Sequence, residues 1–355
     1  MKKAFRAIIL LLNLLAVFAL LLSYLSVIIP PDKFWIPAFF GMAYPFIVTA
    51  NFLFILFWLF FKPKYSIFSL AFVIAGFGFL SRYFQLGGKK LDEGGIKVLS
   101  YNVRHFEGFE KGDQKKNADK IVDFLNQQES DIICLQETRL RRNSIFNLAN
   151  TVQKLKSIEH YHYARASGTY GLVTMTRFPI VGMNEIRFEN SGNMAIFTDI
   201  IINKDTVRVF NVHLQSYQID PNKYNIIDSP GIDEEKDIKE VRDMSKKLKK
   251  AFERRAQQVR NVRKQIDDSP YPVIICGDFN DTPVSYTYQT MRGDFNDAFI
   301  SSGKGFGRTY VGKLPSFRID NIFYSSQFES FNFKTYGFKM SDHLPVSCSL
   351  IFNPN

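Results

Sequence analysis

Before residue 87 the chain offers almost nothing but apolar side chains. Ala7 to Ile29 and Phe34 to Phe61 carry no charge, and Tyr65 to Leu86 carries only Arg82, near its end. About 20 apolar residues suffice to cross a hydrocarbon core, and a segment there must satisfy its own backbone, so each stretch has to be a helix. Three membrane-spanning helices are predicted, at about residues 7–29, 34–61 and 65–86. Pro37, Pro45, Gly76 and Gly78 are tolerable inside them. The Met-Lys-Lys-Ala-Phe-Arg start resembles that of a signal peptide. The apolar run behind it is longer than the usual ~7–15 residues, however, and no small-x-small cleavage pattern precedes Pro30-Pro31, which predicts an uncleaved anchor.

Charge sets the expected orientation. Lys2, Lys3 and Arg6 precede the first span, Lys62 and Lys64 separate the second from the third, and the intervening loop holds Lys33 alone. Basic loops stay cytoplasmic, so three crossings leave the remainder of the chain outside the cytoplasm, on the periplasmic side of a bacterial-type membrane. A re-entrant third segment would place it inside instead. The formal net charge is +11, but seven bases against one acid before residue 87 leave only +5 for the rest. That balance does not mark a nucleic-acid binder, whose basic surface supplies most of its affinity. Cys134, Cys276 and Cys348 each sit in or beside an apolar run and lack paired spacing, so they read as buried structural thiols.

Residues 87–95, Gly-rich and charged, form the expected linker to a domain over 96–355. Strand-like segments at Ile96–Tyr101, Ile132–Leu135, Gly171–Thr176, Val207–Val212, Val273–Cys276, Arg318–Tyr324 and Leu344–Ile351 alternate with helix-like ones such as Asn117–Gln127. A charged insertion over 216–268 is expected to be helical from Glu234 to Gln265 and to end at the Asp268-Ser269-Pro270 turn. It reads as a solvated lid or spacer.

Polar residues that can hold a metal or move a proton recur where the apolar strands end. Asn102 follows Ile96–Tyr101, and Gln136-Glu137 follows Ile132–Leu135. Asn211 and His213 stand two apart and so point the same way from a strand. Asp278 and Asn280 follow Val273–Cys276, Asp320 lies in Arg318–Tyr324, and Asp342-His343 precedes the last strand. Hard oxygen donors without cysteine–histidine spacing favour Mg²⁺ or Mn²⁺ over zinc.

Leu99-Ser100-Tyr101-Asn102-Val103, Leu135-Gln136-Glu137-Thr138, Asn211-Val212-His213-Leu214, Gly277-Asp278-Phe279-Asn280, Arg318-Ile319-Asp320 and Ser341-Asp342-His343-Leu344-Pro345 stand in a telling order. In that order they resemble the motifs of the endonuclease/exonuclease/phosphatase superfamily over roughly 96–352. The resemblance implies an α/β fold, a four-layer sandwich of two mixed β-sheets flanked by helices. It implies Mg²⁺-dependent hydrolysis of a phosphoester, diester or monoester, and the membrane anchor adds a lipid head group as an expected substrate. Glu137 is implied as principal Mg²⁺ ligand, with Asn102 and Asp342 close to the metal. Asp278 and Asn280 are implied to orient water and hold a phosphoryl oxygen, His343 to be the catalytic histidine, and Asp320 its orienting carboxylate. His213 is implied to bind the phosphoryl group or protonate the leaving oxygen, with Asn211 supporting it.

Two features depart from nuclease members. No acidic residue lies in Arg165–Tyr170, upstream of the segment matching Gly171, where nucleases pair one with the histidine equivalent to His213. His105, His160 and His162 match no family position and read as structural. A membrane-anchored nuclease and a catalytically silent binding scaffold are the alternatives. Partners expected are the phosphoester substrate and the lipid bilayer, with nucleic acid less favoured and no protein partner inferable.

Overall fold

The computed structural model describes residues 3–109, 112–140, 145–166, 168–219, 234–312 and 317–353. The first apolar stretch is one helix, α1 (Lys3–Leu25). The second is two, α2 (Ile36–Met42) and α3 (Tyr44–Phe61), which meet at Ala43 with Pro45 in the opening turn of α3. Among the described residues, α1 and α3 alone are long and apolar enough to cross a membrane. The expected third span at 65–86 is corrected: it breaks into α4 (Ser66–Ala75), α5 (Phe77–Leu80) and β1 (Phe84–Gln85). At ~1.5 Å per residue α4 is about 15 Å long, half a hydrocarbon core. It stops at Gly76, where a Cβ would lie 2.0 Å from the Tyr24 hydroxyl, and Tyr24 donates to Phe72 O. Composition does not reveal such a stop.

These helices bury their polar side chains and expose their apolar ones. Trp58 Nε1 donates to Asn13 Oδ1 (2.9 Å), Asn13 Nδ2 to Ser69 Oγ (2.6 Å), and Ser69 Oγ to Asn51 Oδ1 (2.9 Å). Asn51 Nδ2 donates in turn to Ala16 O and Ile47 O. Every member has a partner, so the network ties α1, α3 and α4 with its desolvation cost offset by hydrogen bonds. Outside, Leu11, Phe18, Leu53 and Phe60 are more than half exposed.

Two sheets make up the rest. Their strands are β2 (Ile96–Asn102), β3 (Ile132–Arg139), β4 (His160–Arg165), β5 (Tyr170–Thr176), β6 (Ile180–Arg187), β7 (Met194–Ile202), β8 (Asp205–His213), β9 (Val273–Asp278), β10 (Asn296–Asp297), β12 (Asp320–Tyr324), β13 (Phe328–Thr335) and β14 (Val346–Phe352). The remaining strand, β11 (Gly305–Phe306), pairs with β1 and stitches the two halves of the chain together. One sheet has the order β13-β14-β2-β3-β5-β4, the other β10-β12-β9-β8-β7-β6. Only β2–β3 and β8–β9 are parallel; each sheet is therefore mixed, and these central strands end at the same edge. Ile96, Val98, Cys134, Val209, Ile274, Cys276 and Cys348 fill the space between the sheets, and the three cysteines are free and buried, as expected.

Helices cover the outer faces. Those numbered α6 (Gln114–Gln128) and α7 (Leu148–Lys154) supply Ile121, Leu125 and Val152 to one flank. The other flank is covered by α8 (Glu234–Asp267), α9 (Tyr286–Arg292) and α10 (Ala298–Ser302). The expected helix in the charged insertion is thus present, and its second half buries Val259, Val262 and Ile266; residues 220–233 lie outside the described residues. The helical module docks on the segment after β9: Ser26 Oγ donates to Val284 O, Arg82 Nη1 to Pro283 O and Arg82 Nη2 to Gln289 Oε1. Arg260 forks onto Asp32, and Phe39 meets Phe252 edge-on. The 87–95 linker is itself pinned, through Asn332 to the backbone of Lys89 and Leu91.

Candidate active site

Strand register explains why motifs far apart in sequence meet. Across three neighbouring strands of one sheet, His213 pairs with Asp278 and Asp278 with Asp320. In the other sheet Asn102 pairs with Gln136, one residue before Glu137, and Val346 pairs with Ser100, which brings His343 to the same edge. Gly277 permits the close approach: at φ +149° a Cβ there would lie 2.0 Å from Val212 O.

Glu137 owes its position to a bulge. Between Leu135 and Thr138 the β3–β5 register shifts, and Glu137 adopts φ 51°. The carbonyls freed at Leu135 and Val173 accept from Asn211 Nδ2 (3.2 and 2.9 Å), while Gln136 Nε2 donates to Asn211 Oδ1 (2.8 Å). Asn211 is fully buried and is a tie between the two sheets. It supports the bulge under Glu137, and its hydrogen bonds run there and not to His213.

Asn102 Nδ2 donates to Asp278 Oδ2 (2.9 Å) and to Glu137 Oε1 (3.2 Å), joining the sheets at that edge. Asp278 is fully buried and also accepts from Asn280 N (2.8 Å) and Asn280 Nδ2 (3.0 Å). His343 Nδ1 lies 3.0 Å from Asp320 Oδ2, and its Nε2 faces Asp278 Oδ2 at 3.8 Å. His213 Nε2 lies 3.4 Å from Glu137 Oε1 and 3.7 Å from Asp278 Oδ2. Asp342 lines a cavity shared with Glu137 and His343, but its carboxylate faces Arg104 Nε at 3.5 Å.

Burial pushes the Asp278 carboxyl up to about 6, with the charge of Asp320 adding to it and the imidazoles of His343 and His213 opposing. Burial by itself would discharge His343, yet Asp320 and Asp278 hold its imidazole well above the ordinary histidine value. Burial likewise opposes ionisation of Glu137, but His213, His105 and His343 keep its carboxyl below the usual range. Near neutral pH the site is therefore an ionised network of carboxylates and imidazolium.

His105 is the residue that sequence reasoning missed. Arg104, His105 and Phe106 have φ values of 42°, 54° and 62°, a left-handed turn that costs ~1–2 kcal/mol per residue. The turn sets His105 Nε2 3.1 Å from Glu137 Oε2 and its Nδ1 3.2 Å from Glu137 O, with the ring against Tyr170. Asn193 Nδ2 lies 3.2 Å from His213 Nδ1, and the Tyr310 ring meets His343 edge-on. Thr309 Oγ1 accepts from Ile319 N and Asp320 N, fixing the carboxylate that orients His343. The one sequence signal for His105 was its place just after the Asn102 motif. His162, in contrast, is structural as expected, lying 2.9 Å from Thr198 Oγ1.

A model of the endonuclease/exonuclease/phosphatase family matches residues 99–343. The chain belongs to the endonuclease/exonuclease/phosphatase family. Members of that family act hydrolytically on phosphoester bonds. Residues 6–83 match a second model, a domain of unknown function (DUF8431). No curated protein matches the chain.

Solved structures similar to the chain include a family protein from Bacteroides thetaiotaomicron, 16% identical, covering 74% of this chain and 100% of its own, TM-score 0.52. D. rerio TDP2 complexed with single strand DNA product is 15% identical over 73% of this chain and 100% of its own, TM-score 0.52. The human Nocturnin catalytic domain with bound sulfate anion is 16% identical over 73% and 95%, TM-score 0.51. At these identities the likeness is one of fold.

Proposed function

We propose that this chain is a metal-dependent phosphoester hydrolase held in a membrane by its helical module. The observation that carries the reading is the convergence of Asn102, Glu137, His213, Asp278, Asn280, Asp320 and His343 at one sheet edge. Glu137 and Asp342 open on the cavity, carboxylates suited to a hard divalent ion, and Asn102 lies behind Glu137, its Nδ2 donating to that carboxylate and its Oδ1 accepting from Arg104 N. Bound there, Mg²⁺ (or Mn²⁺) would supply Lewis-acid charge to the phosphoryl oxygens. Asp278, Asp320 and His343 also bring ligand atoms within 4.8 Å of one another. Their compactness follows from the Asp320–His343 hydrogen bond, so we assign this trio to proton handling instead.

Asp320 fixes the imidazole so that Nε2 faces the cavity, and the charge on His343 is complementary to an equatorial phosphoryl oxygen. Asp278, a buried carboxyl raised to about 6 and facing both His343 and His213, accepts a proton from the attacking water. His213 Nε2 is placed to hold a phosphoryl or leaving oxygen, whereas Asn280, whose Nδ2 donates to both Asp278 Oδ2 and Leu214 O, orients the Asp278 carboxylate. If Asp278 must be ionised, kcat/KM against pH shows an acid limb with a midpoint near 6; a limb near the ordinary aspartate value of 3.8 would contradict that role.

The inverted helical module supports membrane insertion: Asn13, Asn51 and Ser69 lie inside and leucine and phenylalanine outside. Lys3 and Arg6 begin α1 and Lys62 and Lys64 follow α3, whereas the catalytic domain contacts the opposite end, at Ser26 and Gly41. Residues 62–86 carry the chain back from that basic end to the catalytic domain through α4 and α5, so under the positive-inside rule this broken third passage leaves the catalytic domain outside the cytoplasm. A cysteine at exposed Val181 is expected to react with a membrane-impermeant maleimide in intact spheroplasts; labelling only after lysis reverses the topology.

A hydrolysis panel of phospholipids, inositol phosphates, plasmid and single-stranded DNA, read by ³¹P NMR and gels, tests the activity. Turnover of at least one member is expected. Nicking of plasmid with no other turnover favours the nuclease reading, and no turnover favours the scaffold.

A further inference from the structure

Glu137, Asn280, Asp342 and His343 form the floor of a cavity of about 490 Å³ whose walls come from elsewhere in the chain. Met42 and Phe46 enter it from the α2–α3 junction, and Met244 and Leu248 from the exposed half of α8. Both segments lie outside the two sheets, and neither side chain pair belongs to the site described above. The only Lys or Arg along this cavity among the described residues is Arg104, which faces Asp342. A nucleic-acid track would present several cations and stacking platforms along the strand. A compact, fully polar phosphoester would gain nothing from methionine and leucine walls.

The apolar wall does not stop at the cavity mouth. Phe46 is 60% exposed, and Leu53 (62%) and Phe60 (85%) follow at intervals of seven, so all three share one face of α3. That face belongs to a helix long enough to cross a membrane. The catalytic floor is therefore joined to the outer apolar surface of the bundle by a continuous apolar path.

We propose that the substrate is an amphiphilic phosphoester drawn from the bilayer, with its phosphoryl group on the catalytic floor and its alkyl or acyl chain along Phe46, Met42 and Leu248. The helical module is then part of the substrate site as well as a holder of the catalytic domain. The inference rests on the phosphoester-hydrolase reading. In the reaction, water oxygen bonds to phosphorus as one P–O ester bond breaks. The water's proton passes to Asp278, and the leaving oxygen takes a proton from an imidazolium, so charge and atoms balance.

The test uses the full chain reconstituted in phosphatidylcholine vesicles and two 4-nitrophenyl phosphodiesters, one bearing a methyl and one a dodecyl group. The expected result is a kcat/KM at least ten-fold higher for the dodecyl ester. Phe46→Ser in the bundle and Leu248→Asn on α8 should each reduce that preference about ten-fold. Val181→Ser, at an exposed position on β6, should leave the preference intact. Equal turnover of the two esters by the wild type overturns the inference while leaving the hydrolase reading standing, as does an undiminished preference in both wall variants. Turnover of neither ester overturns both.

Discussion

Replacing His343 by alanine is expected to lower kcat for phosphoester hydrolysis by about three to four orders of magnitude, the upper range for a lost acid–base group that also stabilises transition-state charge. The imidazole is nearly buried, fixed through Nδ1 on Asp320, and kept charged by two carboxylates, so nothing nearby replaces it. Asp320→Asn removes the orienting partner but leaves the ring, and a loss of about 10–100-fold is expected. Steady-state kinetics of both variants check this, with circular dichroism and a melting curve to establish that each is folded. A His343→Ala enzyme within ten-fold of wild type would remove His343 from the mechanism. A larger loss for Asp320→Asn than for His343→Ala would transfer the main role to the carboxylate.

The second large effect is on stability. Arg318→Ala is expected to destabilise the fold by about 3–5 kcal/mol, because it strands a buried carboxylate. Arg318 and Asp297 are paired with essentially no solvent contact, through Nη2–Oδ2 at 2.7 Å and Nη1–Oδ1 at 3.0 Å. Tyr288 donates its hydroxyl to the same carboxylate at 2.5 Å, and Phe299 N, opening α10, donates to Oδ1 at 2.8 Å. Burial opposes ionisation of Asp297, but Arg318 and these donors hold its carboxyl below the usual value. A depressed carboxyl contributes stability above its unfolded value of 3.8 that is lost as pH falls through the folded value. The gap between wild type and Arg318→Ala should therefore be widest near neutrality and close below about pH 4. Arg82, whose guanidinium lies 5.0 Å from the Tyr288 ring centre, links this cluster to the helical module. Denaturant unfolding over a pH series measures the effect. The exposed Arg187–Glu185 pair serves as the comparison, where loss of either partner should cost under ~1 kcal/mol.

What was legible in the sequence is what ends an apolar strand. Asn102, Glu137, Asp278 and His343 announce themselves because each breaks a run that must otherwise stay dry, and the parallel pairing of β2–β3 and β8–β9 then gathers the breaks at one edge. Strands such as β6 did not announce themselves: most of its side chains face solvent, so neither a buried run nor a clean alternation exists to be seen. His105 escaped because its part depends on a left-handed turn of non-glycine residues, which no residue type signals. Asn211 was expected to support His213, but its hydrogen bonds run to the β3 bulge. Its distance of two from His213 predicts a shared direction, whereas the β3 bulge that draws its amide away is a property of another strand. The third apolar stretch shows the reverse error, since hydropathy measures length without registering where Gly76 packs on Tyr24 and the helix stops.

The most direct test of the central claim is turnover of a generic phosphodiester by the full chain in detergent, with Mg²⁺, with EDTA, and with EDTA followed by excess Mg²⁺. Hydrolysis that stops with EDTA and returns with Mg²⁺ is the predicted result. Turnover indifferent to EDTA, or none with Mg²⁺ or Mn²⁺, would contradict the assignment of Glu137, Asn102 and His343 to a metal-dependent hydrolase.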